Sequence, residues 1–536
     1  MKVTKMENTN SMEHIFHLKL DDFNYSVKYI VSLMPLLKQY GFTAVLLDLR
    51  TNFPYNSIPE LKKNSTFSKN DFTGIFNAAE NANLAIMVLG ISMSHTRRLG
   101  NYPGLRKYLE ENNPDNLDLT SAQAADFIAR AAGDIIALCP KLSLLHIGGD
   151  EMLSLGKSAK ANAQIIKNGK GRLVASFVNM VSSRLKNIRL GMWSDMLIRH
   201  PEAINTLSKK IIIFYWDYWG QGERSPFISI GGGLSDTFVL DRSKISEDQK
   251  QLFSWHIARP AQEIPAGHKS LFKKYWNIKN NMADSFPYLK WFRDKGFIVI
   301  SAYLAYTEKG SILPNTGEKI SHIKTFFEKS IKHRAAGVCF CLWTPQWPLL
   351  DAMKPAMILS NIILSNPGAD HSRLFKKAAD SSGLSPVIFK LLLTGVLRFE
   401  FSDSLDLFWK ESSLNAKLKQ ITAAGEILHE KKKLVHVINS MQKILKHPSF
   451  YRTDMGIRLP VKEMLLKAQL EILLLNENPD LIKIKKIFKL CCCQAAEFKK
   501  YLRMIMPEKS ADYLYTKRWK IFLKELSGII VIAGKK

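Results

Sequence analysis

Ala44-Val45-Leu46-Leu47 is an uninterrupted apolar run, and Ile211-Ile212-Ile213-Phe214 is a second run of the same kind. Such runs are typical of strands buried on both faces, because an exposed antiparallel strand alternates apolar with polar residues. From about residue 14 to residue 365, short β-rich runs alternate with longer amphipathic stretches. This alternation predicts a parallel sheet covered by helices.

Eight strands can be counted in this region. We predict them near Ile15–Leu20, Thr43–Leu49, Leu84–Gly90, Leu142–Ile147, Ile188–Trp193, Ile211–Trp216, Phe297–Ala302 and Val338–Trp343. Eight parallel strands with covering helices indicate an α/β fold closed into a (β/α)8, or TIM, barrel. The long interval between the sixth and seventh strands contains Gly231-Gly232-Gly233, so we expect an elaborated loop or a small inserted hairpin there.

The strand pattern ends near residue 366. Helical patterns follow, for example at Leu414–Lys433, Val461–Leu475 and Leu481–Leu502, with breakers between them. We therefore predict three parts: a flexible N-terminal tail over residues 1–13, the (β/α)8 catalytic barrel over residues 14–366, and an all-helical C-terminal domain over residues 367–536.

The chain is strongly basic, with 76 lysines and arginines against 48 aspartates and glutamates and a formal net charge of +28. Attraction to polyanions is physically plausible at this charge. In Lys483-Ile484-Lys485-Lys486-Ile487-Phe488-Lys489, however, the lysines alternate with apolar residues, as they do on the solvated face of a helix. Since no recognisable nucleic-acid module accompanies the charge, we do not expect a nucleic-acid partner.

Composition also bounds the metal and membrane chemistry. None of the six cysteines stands in a CxxC or mixed His/Cys pattern, so we expect no structural metal. Residues 1–13 are polar and lack the apolar core of a secretory signal, which predicts residence in the cytoplasm. The longest apolar runs are shorter than the ~20 residues that span a bilayer, so no membrane span is expected.

The segment that carries chemistry is Leu144-Leu145-His146-Ile147-Gly148-Gly149-Asp150-Glu151, where a buried run ends in two glycines and two adjacent acids. Catalytic groups of a barrel collect at the carboxyl ends of its strands. The glycines remove side-chain bulk, so a ligand could approach the backbone. A turn leading into a helix, with acids at its N-terminus, explains the last four residues equally well.

Read in its surroundings, His146-Ile147-Gly148-Gly149-Asp150-Glu151 resembles the His-x-Gly-Gly-Asp-Glu signature of the family-20 glycoside hydrolases, the β-N-acetylhexosaminidases. The resemblance covers roughly residues 14 to 365 and is to the short, hexosaminidase D-like members. It also includes His17-Leu18-Lys19-Leu20, Tyr40-Gly41-Phe42, Leu47-Asp48, Phe53-Pro54-Tyr55, His95, Trp193-Ser194-Asp195-Met196, Ser301-Ala302 and Leu342-Trp343.

The resemblance implies separate roles for the two acids. An ordinary retaining glycosidase uses carboxyls ~5–5.5 Å apart, one of them a nucleophile, whereas substrate-assisted enzymes use the 2-acetamido oxygen of the sugar. Asp150 would then polarise the acetamido group, and Glu151 would act as general acid and base. Because a neighbouring negative charge and an apolar wall both disfavour ionisation, we predict a raised pKa for Glu151.

An amino sugar needs flat aromatic walls and a few polar contacts. Trp193, Trp216 and Trp343 stand at the ends of strands five, six and eight and could form such walls, with a core aromatic as the alternative for each. Tyr303 resembles the family tyrosine that bonds the acetamido oxygen, although Tyr306 also lies close to the expected place.

The remaining candidates are polar. Asp195 would contact sugar hydroxyls or orient a neighbour, and Asp217 is a weaker candidate of the same kind. His95 and His146 would support the carboxylates by hydrogen bonding, with a buried structural histidine as the alternative. The resemblance implies an acidic or arginine contact for the sugar 3- and 4-hydroxyls near the end of strand two, and Asp48-Leu49-Arg50 offers both types, so the choice between Asp48 and Arg50 stays open.

One segment departs from the family. After Trp343 the chain reads Thr344-Pro345-Gln346-Trp347, and the side chain of Pro345 cannot make the polar hydroxyl contact that many relatives place there. The preference between gluco- and galacto-configured sugars therefore stays open.

The resemblance implies an exo-acting β-N-acetylhexosaminidase that releases terminal β-linked GlcNAc or GalNAc from a glycan or glycoconjugate, with no metal or organic cofactor. The alternative is a catalytically weak or inactive barrel that binds amino sugars and carries a basic interaction domain. The intact Asp150-Glu151 pair argues against this alternative, and the segment after Trp343 argues for it.

Overall fold

The structure is a computed structural model of the 536-residue chain. It describes residues 12–20, 25–220, 222–231, 236–245, 259–305, 313–314, 316–343, 349–395, 425 and 427–533. The chain forms two compact units. The first comprises Met1–Asp22, Val31–Leu304 and Ser321–Leu342, and the second comprises Phe23–Ile30, Ala305–Ile320 and Trp343–Lys536.

The first unit contains a closed barrel of eight parallel strands, each paired with the next and the last paired with the first. The strands are β1 (Glu13–Lys19), β2 (Ala44–Asp48), β3 (Ala85–Leu89), β4 (Leu142–His146), β5 (Leu190–Trp193), β6 (Ile212–Trp216), β7 (Ile298–Tyr303) and β8 (Gly337–Phe340). The predicted (β/α)8 fold is confirmed. The largest difference in a strand end is in β8, predicted to reach Trp343 and observed to end at Phe340.

Helices separate the strands along the chain. Their bounds are Val27–Gln39, Pro59–Asn64, Lys69–Asn81, Ala122–Leu138, Ala159–Asn168, Lys170–Arg184, Asp195–Arg199, Ala266–Trp276, Pro287–Asp294 and Ile320–Lys332. Local sequence explains several starts. Ser68 and Asp71 form a capping box that begins Lys69–Asn81, and the Ser158 side chain caps Ala159–Asn168.

Alternation along the strands decides which side chains fill the barrel. His146 in β4 contacts Trp193 in β5 and Phe214 in β6, with ring centroids 4.6 Å from each. The next residue of β6, Tyr215, faces the other way and packs on Phe326 of a covering helix. Gly191 leaves room inside, because a Cβ there would lie 2.8 Å from the Phe214 ring. The interior is therefore aromatic and densely packed beneath the carboxyl end of β4.

The expected insertion between β6 and β7 is present. Phe227–Ser229 pairs antiparallel with Thr237–Val239, which also pairs with Arg259–Pro260. Arg224–Ser225 pairs with Ala283–Asp284. Residues 232–235 and 246–258 of this interval lie outside the described residues.

The second unit is helical, as predicted for the C-terminal part. Its α-helices after β8 are Lys354–Ser365, His371–Ser382, Pro386–Lys390, Ile427–Lys446, Met455–Leu474, Leu481–Ile505, Glu508–Tyr515 and Ile521–Ala533. The predicted helical region Leu414–Lys433 falls largely outside the described residues, as do residues 1–11 of the predicted tail. The boundaries at residues 13/14 and 366/367 stay predictions.

The lysine-rich run behaves as a solvated helix face. In the helix Leu481–Ile505, Lys485, Lys486 and Lys489 are exposed whereas Ile484 is buried.

Some charged side chains of the second unit are buried. Glu463 is fully buried and bonds Lys467 at 2.7 Å and Arg518 at 2.6 Å. None of the helices in the described part of the chain combines the length and apolarity needed to cross a membrane.

Candidate active site

The two adjacent acids lie just beyond β4, and the glycines before them are required by packing. Gly148 and Gly149 have φ of 68° and 88°, where residues with a side chain are strained. A Cβ at Gly148 would lie 1.8 Å from Ser92 Oγ, and one at Gly149 would lie 2.5 Å from the Met93 methyl. The expectation that these glycines leave room for a ligand is corrected: their space is filled by the segment after β3.

Asp150 is buried and is held in its charged form. Ser94 Oγ donates to Oδ1 at 2.8 Å, and His95 Nε2 lies 3.3 Å from Oδ2. Burial raises the pKa of Asp150, but the hydrogen bond and charge of His95, with Arg50 and Ser94, outweigh burial and hold the pKa well below its usual range. Asp150 is therefore a carboxylate at all ordinary pH values.

Glu151 differs from its neighbour in exposure and in pKa. Its side chain is 51% exposed, and Oε2 lies 3.6 Å from His95 Nε2. Partial desolvation and the charge of Asp150 raise the pKa of Glu151, while His95 and Arg199 lower it by less. The direction agrees with the sequence prediction. One carboxyl of the pair is thus charged and buried, and the other holds a proton more readily and is accessible.

His95 lies between the two acids. Its hydrogen bond to Asp150 raises the pKa of the imidazole, against the opposing effect of burial. A protonated His95 can donate to Asp150 while its positive charge faces Glu151. The expectation that His95 supports the carboxylates therefore fits its position.

Asp195 orients the backbone of Glu151. It is fully buried at the first turn of Asp195–Arg199, and its Oδ2 accepts the backbone N–H of Glu151 at 2.7 Å. Its Oδ1 accepts from Trp216 Nε1 at 3.4 Å. Burial, with the charge of Asp150, raises the pKa of Asp195 to about 7. Of the two roles considered for Asp195, these contacts favour orienting a neighbour.

Asp48 and Arg50 form a buried ion pair with a third member. Asp48 is fully buried, with Arg50 Nε 3.1 Å from Oδ1 and His17 Nε2 3.4 Å from Oδ2. The backbone N–H of Leu342 donates to His17 Nδ1 at 3.2 Å, which leaves the Nε2 hydrogen for Asp48. Burial raises the pKa of Asp48, but Arg50 and His17 outweigh it and lower the pKa to about 2.

Three of these candidates share an unusual backbone conformation. Arg50, His95 and Glu151 have φ of 38°, 54° and 53°, in the left-handed region that residues with a side chain rarely adopt. Strained residues of this kind persist only where surrounding contacts hold them, and they concentrate at functional sites. Among the described residues, these are three of the ten non-glycine residues with positive φ.

His146 and Trp193 lie in the barrel interior. His146 is fully buried, accepts the Gly148 N–H through Nδ1 at 3.0 Å, and has a pKa lowered by burial to about 3. His146 therefore supports the backbone of Gly148 and is best described as a buried structural histidine. Trp193 has no exposed surface and packs on His146 and Phe214. It is a core aromatic, which corrects the expectation of an accessible wall.

Trp216, Asp217 and Trp343 lie in different environments. Trp216 is 8% exposed, so it presents only a narrow edge. Asp217 accepts from Tyr215 Oη at 3.1 Å and from the amides of Trp219 and Gly220, so it holds its own loop. Trp343 is half-buried and belongs to the second unit, and residues 344–348, including Pro345, lie outside the described residues.

Tyr303 is not beside the acids. Its hydroxyl bonds His14 Nε2 at 2.9 Å, and its ring packs edge-on against Phe327 with centroids 4.8 Å apart. Ser301, two residues earlier on the same face of β7, bonds Ser330 of the helix that carries Phe327. Tyr303 therefore points out of the barrel toward its helices, because side chains alternate along a strand. The expected acetamido contact is corrected at this position, and Tyr306 lies outside the described residues.

Two residues near the acids were missed by sequence reasoning. Ser94 bonds Asp150, and its place beside His95 was the available signal. Arg199 lowers the pKa of Glu151 and forms an ion pair with Asp236 of the inserted hairpin, a long-range relation with no local sequence signal. Among the described residues no cluster of three His, Cys, Asp or Glu side chains is arranged to hold a metal ion.

Comparison with known proteins agrees with the resemblance. No family model matches the chain. The chain is similar in sequence to two curated relatives, and both are named Hexosaminidase D. The one from Homo sapiens is 24% identical over 215 residues, 38% of this chain and 44% of the relative. The one from Bos taurus is 22% identical over 215 residues, 38% of this chain and 62% of the relative. The match thus spans roughly half the length of these relatives.

Solved structures similar to this chain were also found. A GH20 exo-β-N-acetylglucosaminidase from Vibrio harveyi, in complex with N-acetylglucosamine, is 14% identical, covers 70% of this chain and 59% of that chain, and has a TM-score of 0.43. A β-N-acetylhexosaminidase from Bacteroides fragilis is 13% identical, covers 70% of each chain, and has a TM-score of 0.45. The resemblance to hexosaminidase D-like proteins is confirmed by the two curated relatives.

Proposed function

We propose that this chain is an exo-acting β-N-acetylhexosaminidase that cleaves terminal β-linked GlcNAc or GalNAc by a substrate-assisted, retaining mechanism. The observation that carries the proposal is that two consecutive carboxyls differ in burial and have pKa values shifted in opposite directions. Asp150 is buried and its pKa is lowered, whereas Glu151 is accessible and its pKa is raised. Pairs of titratable groups pushed apart in this way mark acid–base assignments.

In the first step the acetamido oxygen of the bound sugar attacks C1 while the C1–O glycosidic bond breaks. Glu151 gives its proton to the leaving oxygen. The acetamido N–H donates to Asp150, whose negative charge stabilises the positive oxazolinium that forms. No enzyme nucleophile is needed, so the adjacency of the two carboxyls is no obstacle.

In the second step water attacks C1, the oxazolinium ring opens, and the carboxylate of Glu151 accepts the proton from that water. The anomeric configuration is retained because two inversions occur. His95, 3.3 Å from Asp150, keeps Asp150 charged throughout. Arg50, which is 8% exposed, is proposed to contact the sugar hydroxyls. Asp48 has no exposed surface, so the expected sugar contact is corrected at Asp48, and its carboxylate, bonded to His17, instead fixes the Arg50 guanidinium. We assign the substrate as an N-acetylhexosamine-containing glycan or glycoconjugate.

A second candidate is an amino-sugar-binding barrel without turnover. Two placements favour it: Tyr303 points toward the helices, and Trp193 has no exposed surface, although both were expected on the sugar. The two functions differ in what the acids must do, since binding needs only hydrogen bonding and hydrolysis needs the proton of Glu151.

Turnover of aryl N-acetyl-β-glucosaminides and N-acetyl-β-galactosaminides distinguishes the two functions. We expect hydrolysis by the wild type, loss of about 10²-fold or more in Glu151→Gln, and a strong reduction in Asp150→Asn. Glu111→Gln is the matched control, because Glu111 is an exposed glutamate. Saturable sugar binding without turnover in the wild type would instead establish the second candidate.

A further inference from the structure

A short hairpin between β3 and β4 is bonded to the chain that follows Glu151. Its strands are Leu109–Glu110 and Asn113–Leu117, paired antiparallel. The chain beyond Glu151, residues 152–158, is called here the acid-following segment. It ends at Ser158, the N-cap of Ala159–Asn168. Both belong to the barrel unit.

Glu110 is the centre of this connection. It is 2% exposed, and its Oε1 accepts the backbone N–H of Gly156 at 2.8 Å and of Ser158 at 3.2 Å. The side-chain amide of Asn113 donates to its Oε2. Hydrogen bonds to a carboxylate are about twice as strong as neutral ones, and a buried carboxylate requires them. Glu110 therefore fixes two amides of the acid-following segment.

Two asparagines extend the connection toward Glu151. Asn113 Nδ2 donates to the Ser154 carbonyl at 3.0 Å, and Ser154 Oγ donates to Asn113 Oδ1 at 3.1 Å. Asn116 Nδ2 donates to Ser154 Oγ at 3.3 Å. The acid-following segment is thus bonded at residues 154, 156 and 158, within seven residues of the acid.

The same hairpin is bonded to the chain that contacts the acids from the other side. The Leu117 N–H donates to the Met93 carbonyl at 2.9 Å, and the Thr96 N–H donates to the Asp115 carbonyl at 3.1 Å. Ser94 forms an isolated antiparallel bridge with Asn116. Ser94 and His95 therefore share a framework with the acid-following segment.

Glu151 itself has few restraints on its side chain. The Glu151 carboxylate lies 3.6 Å from His95 Nε2, and about half of the side chain is exposed. The backbone of Glu151 has a φ of 53°. A strained backbone persists only where its surroundings hold it. Asp195 holds the Glu151 amide from one side. On the other side, restraint comes from the hydrogen-bonded segment that follows.

We propose that Glu110 is a positioning residue for Glu151, fixing the acid-following segment so that the Glu151 carboxyl stays beside Asp150 and His95. The inference rests on the proposed function, because it assigns the reason why Glu110 matters for turnover. A displacement of about 1 Å in a reacting group can reduce the rate about 10²-fold. Loss of the Glu110 contacts is therefore expected to reduce kcat while leaving sugar binding largely intact.

Glu110→Gln and Glu110→Ala test this, with the exposed neighbour Glu111→Gln as control. We expect Glu110→Gln to lower kcat about 10-fold and Glu110→Ala about 10²-fold, with KM within about twofold. The loss should be larger for a substrate with a poor leaving group than for one with an acidic phenol, because only the former depends strongly on the proton of Glu151. Equal losses for both substrates contradict the proposal.

A pH profile adds a readout that destabilisation alone does not move. Desolvation and Asp150 raise the pKa of Glu151, so a displaced Glu151 loses part of this rise. The alkaline limb of kcat should then move to lower pH in Glu110→Gln and stay in place in Glu111→Gln. Should Glu110→Ala fail to fold, Glu110→Gln, which keeps the shape and one acceptor oxygen, decides alone.

The positioning role of Glu110 can be tested separately from the proposed hydrolase activity. Selective ¹³C labelling of glutamate carboxyls, with Glu151 assigned by its loss in Glu151→Gln, gives the pKa of Glu151 without any turnover. A lower Glu151 pKa in Glu110→Gln than in Glu111→Gln supports the positioning role even if the wild type hydrolyses nothing. An identical Glu151 pKa in the two variants overturns it even if the wild type is an active hydrolase.

Discussion

The carboxylate of Asp195 accepts the backbone N–H of Glu151 at 2.7 Å, so an acid at the end of β5 fixes the main chain of an acid at the end of β4. Asp195 also accepts from Trp216, the last residue of β6. Three neighbouring strands are thereby connected through one buried side chain. The accessible acid of the pair is held mainly through its backbone.

Asp195→Asn tests this connection. An amide has one acceptor oxygen, so it cannot accept from both Glu151 and Trp216, and one of these donors loses its partner. We expect kcat to fall about 10-fold to 10²-fold with a smaller change in KM. Steady-state kinetics measures this, and Asp217→Asn is the control because the Asp217 carboxylate accepts from Tyr215, Trp219 and Gly220 of its own loop. A change confined to KM would instead assign Asp195 to the sugar hydroxyls.

His95→Gln should move the pH optimum. His95 lowers the pKa of both Asp150 and Glu151, so its removal raises both. Activity needs Asp150 charged and Glu151 protonated, so both limbs of the kcat/KM profile should shift to higher pH. Ser94→Ala removes a hydrogen bond to Asp150 and leaves His95 in place, so it should move the acid limb alone. Profiles of the three proteins that coincide would contradict this electrostatic account.

The buried histidines predict a loss of stability in acid. Burial lowers the pKa of His14 and of His146 to about 3, so the folded state binds fewer protons than the unfolded state below about pH 6.5. Stability is present above the unfolded pKa and falls as pH drops from about 6.5 toward 3. Each histidine contributes up to about 1.4 kcal/mol per pH unit. Urea unfolding at several pH values should show a smaller slope in His146→Gln, and an unchanged slope would refute the neutral assignment.

Tyr303→Phe separates the two roles considered for this tyrosine. The structure places its hydroxyl on His14, so the change should cost about 1 kcal/mol of stability and leave kcat/KM nearly unchanged. An acetamido contact would instead appear as a large fall in kcat/KM with little change in stability. Denaturant unfolding and kinetics on the same variant give both quantities.

Gly148→Ala is expected to be destabilising by about 2 kcal/mol or more, because it adds a Cβ 1.8 Å from Ser92 Oγ at a φ of 68°. Replacing Ser92 by glycine in the same chain removes the clash but not the strain, so stability should be recovered in part. Full recovery would show that the left-handed backbone carries no cost. No recovery would show that Ser92 is not the obstacle.

Much of the barrel was readable from the sequence because each buried strand leaves an unbroken apolar run. The run Ala44-Val45-Leu46-Leu47 became β2, and Ile211-Ile212-Ile213-Phe214 became β6 with a start shifted by one residue. Strand ends were less certain, since Cys341 and Leu342 are apolar but follow the last residue of β8. Apolar character predicts burial better than it predicts backbone pairing.

The sequence predicted the parts of the candidate site that depend on neighbouring residues in the chain. It did not predict the parts that depend on the direction of a side chain. Asp150, Glu151 and His95 lie together, and the sign of the Glu151 pKa shift followed from adjacency. Tyr303 was misassigned because strand alternation turns it toward the helices. Arg199 pairs with Asp236, and Glu110 bonds Gly156, in each case a residue far away in the sequence. No spacing in the sequence predicts such contacts.

In the proposed mechanism, Asp150 and Glu151 make the 2-acetamido group of the sugar attack its own anomeric carbon. The most direct measurement is kcat/KM for aryl β-glucosaminides whose N-acyl group carries zero, one, two or three fluorines. Fluorine withdraws electrons from the carbonyl oxygen, so the account predicts a steep, progressive fall across the series in the wild type. A flat series, or no turnover of any member, contradicts it.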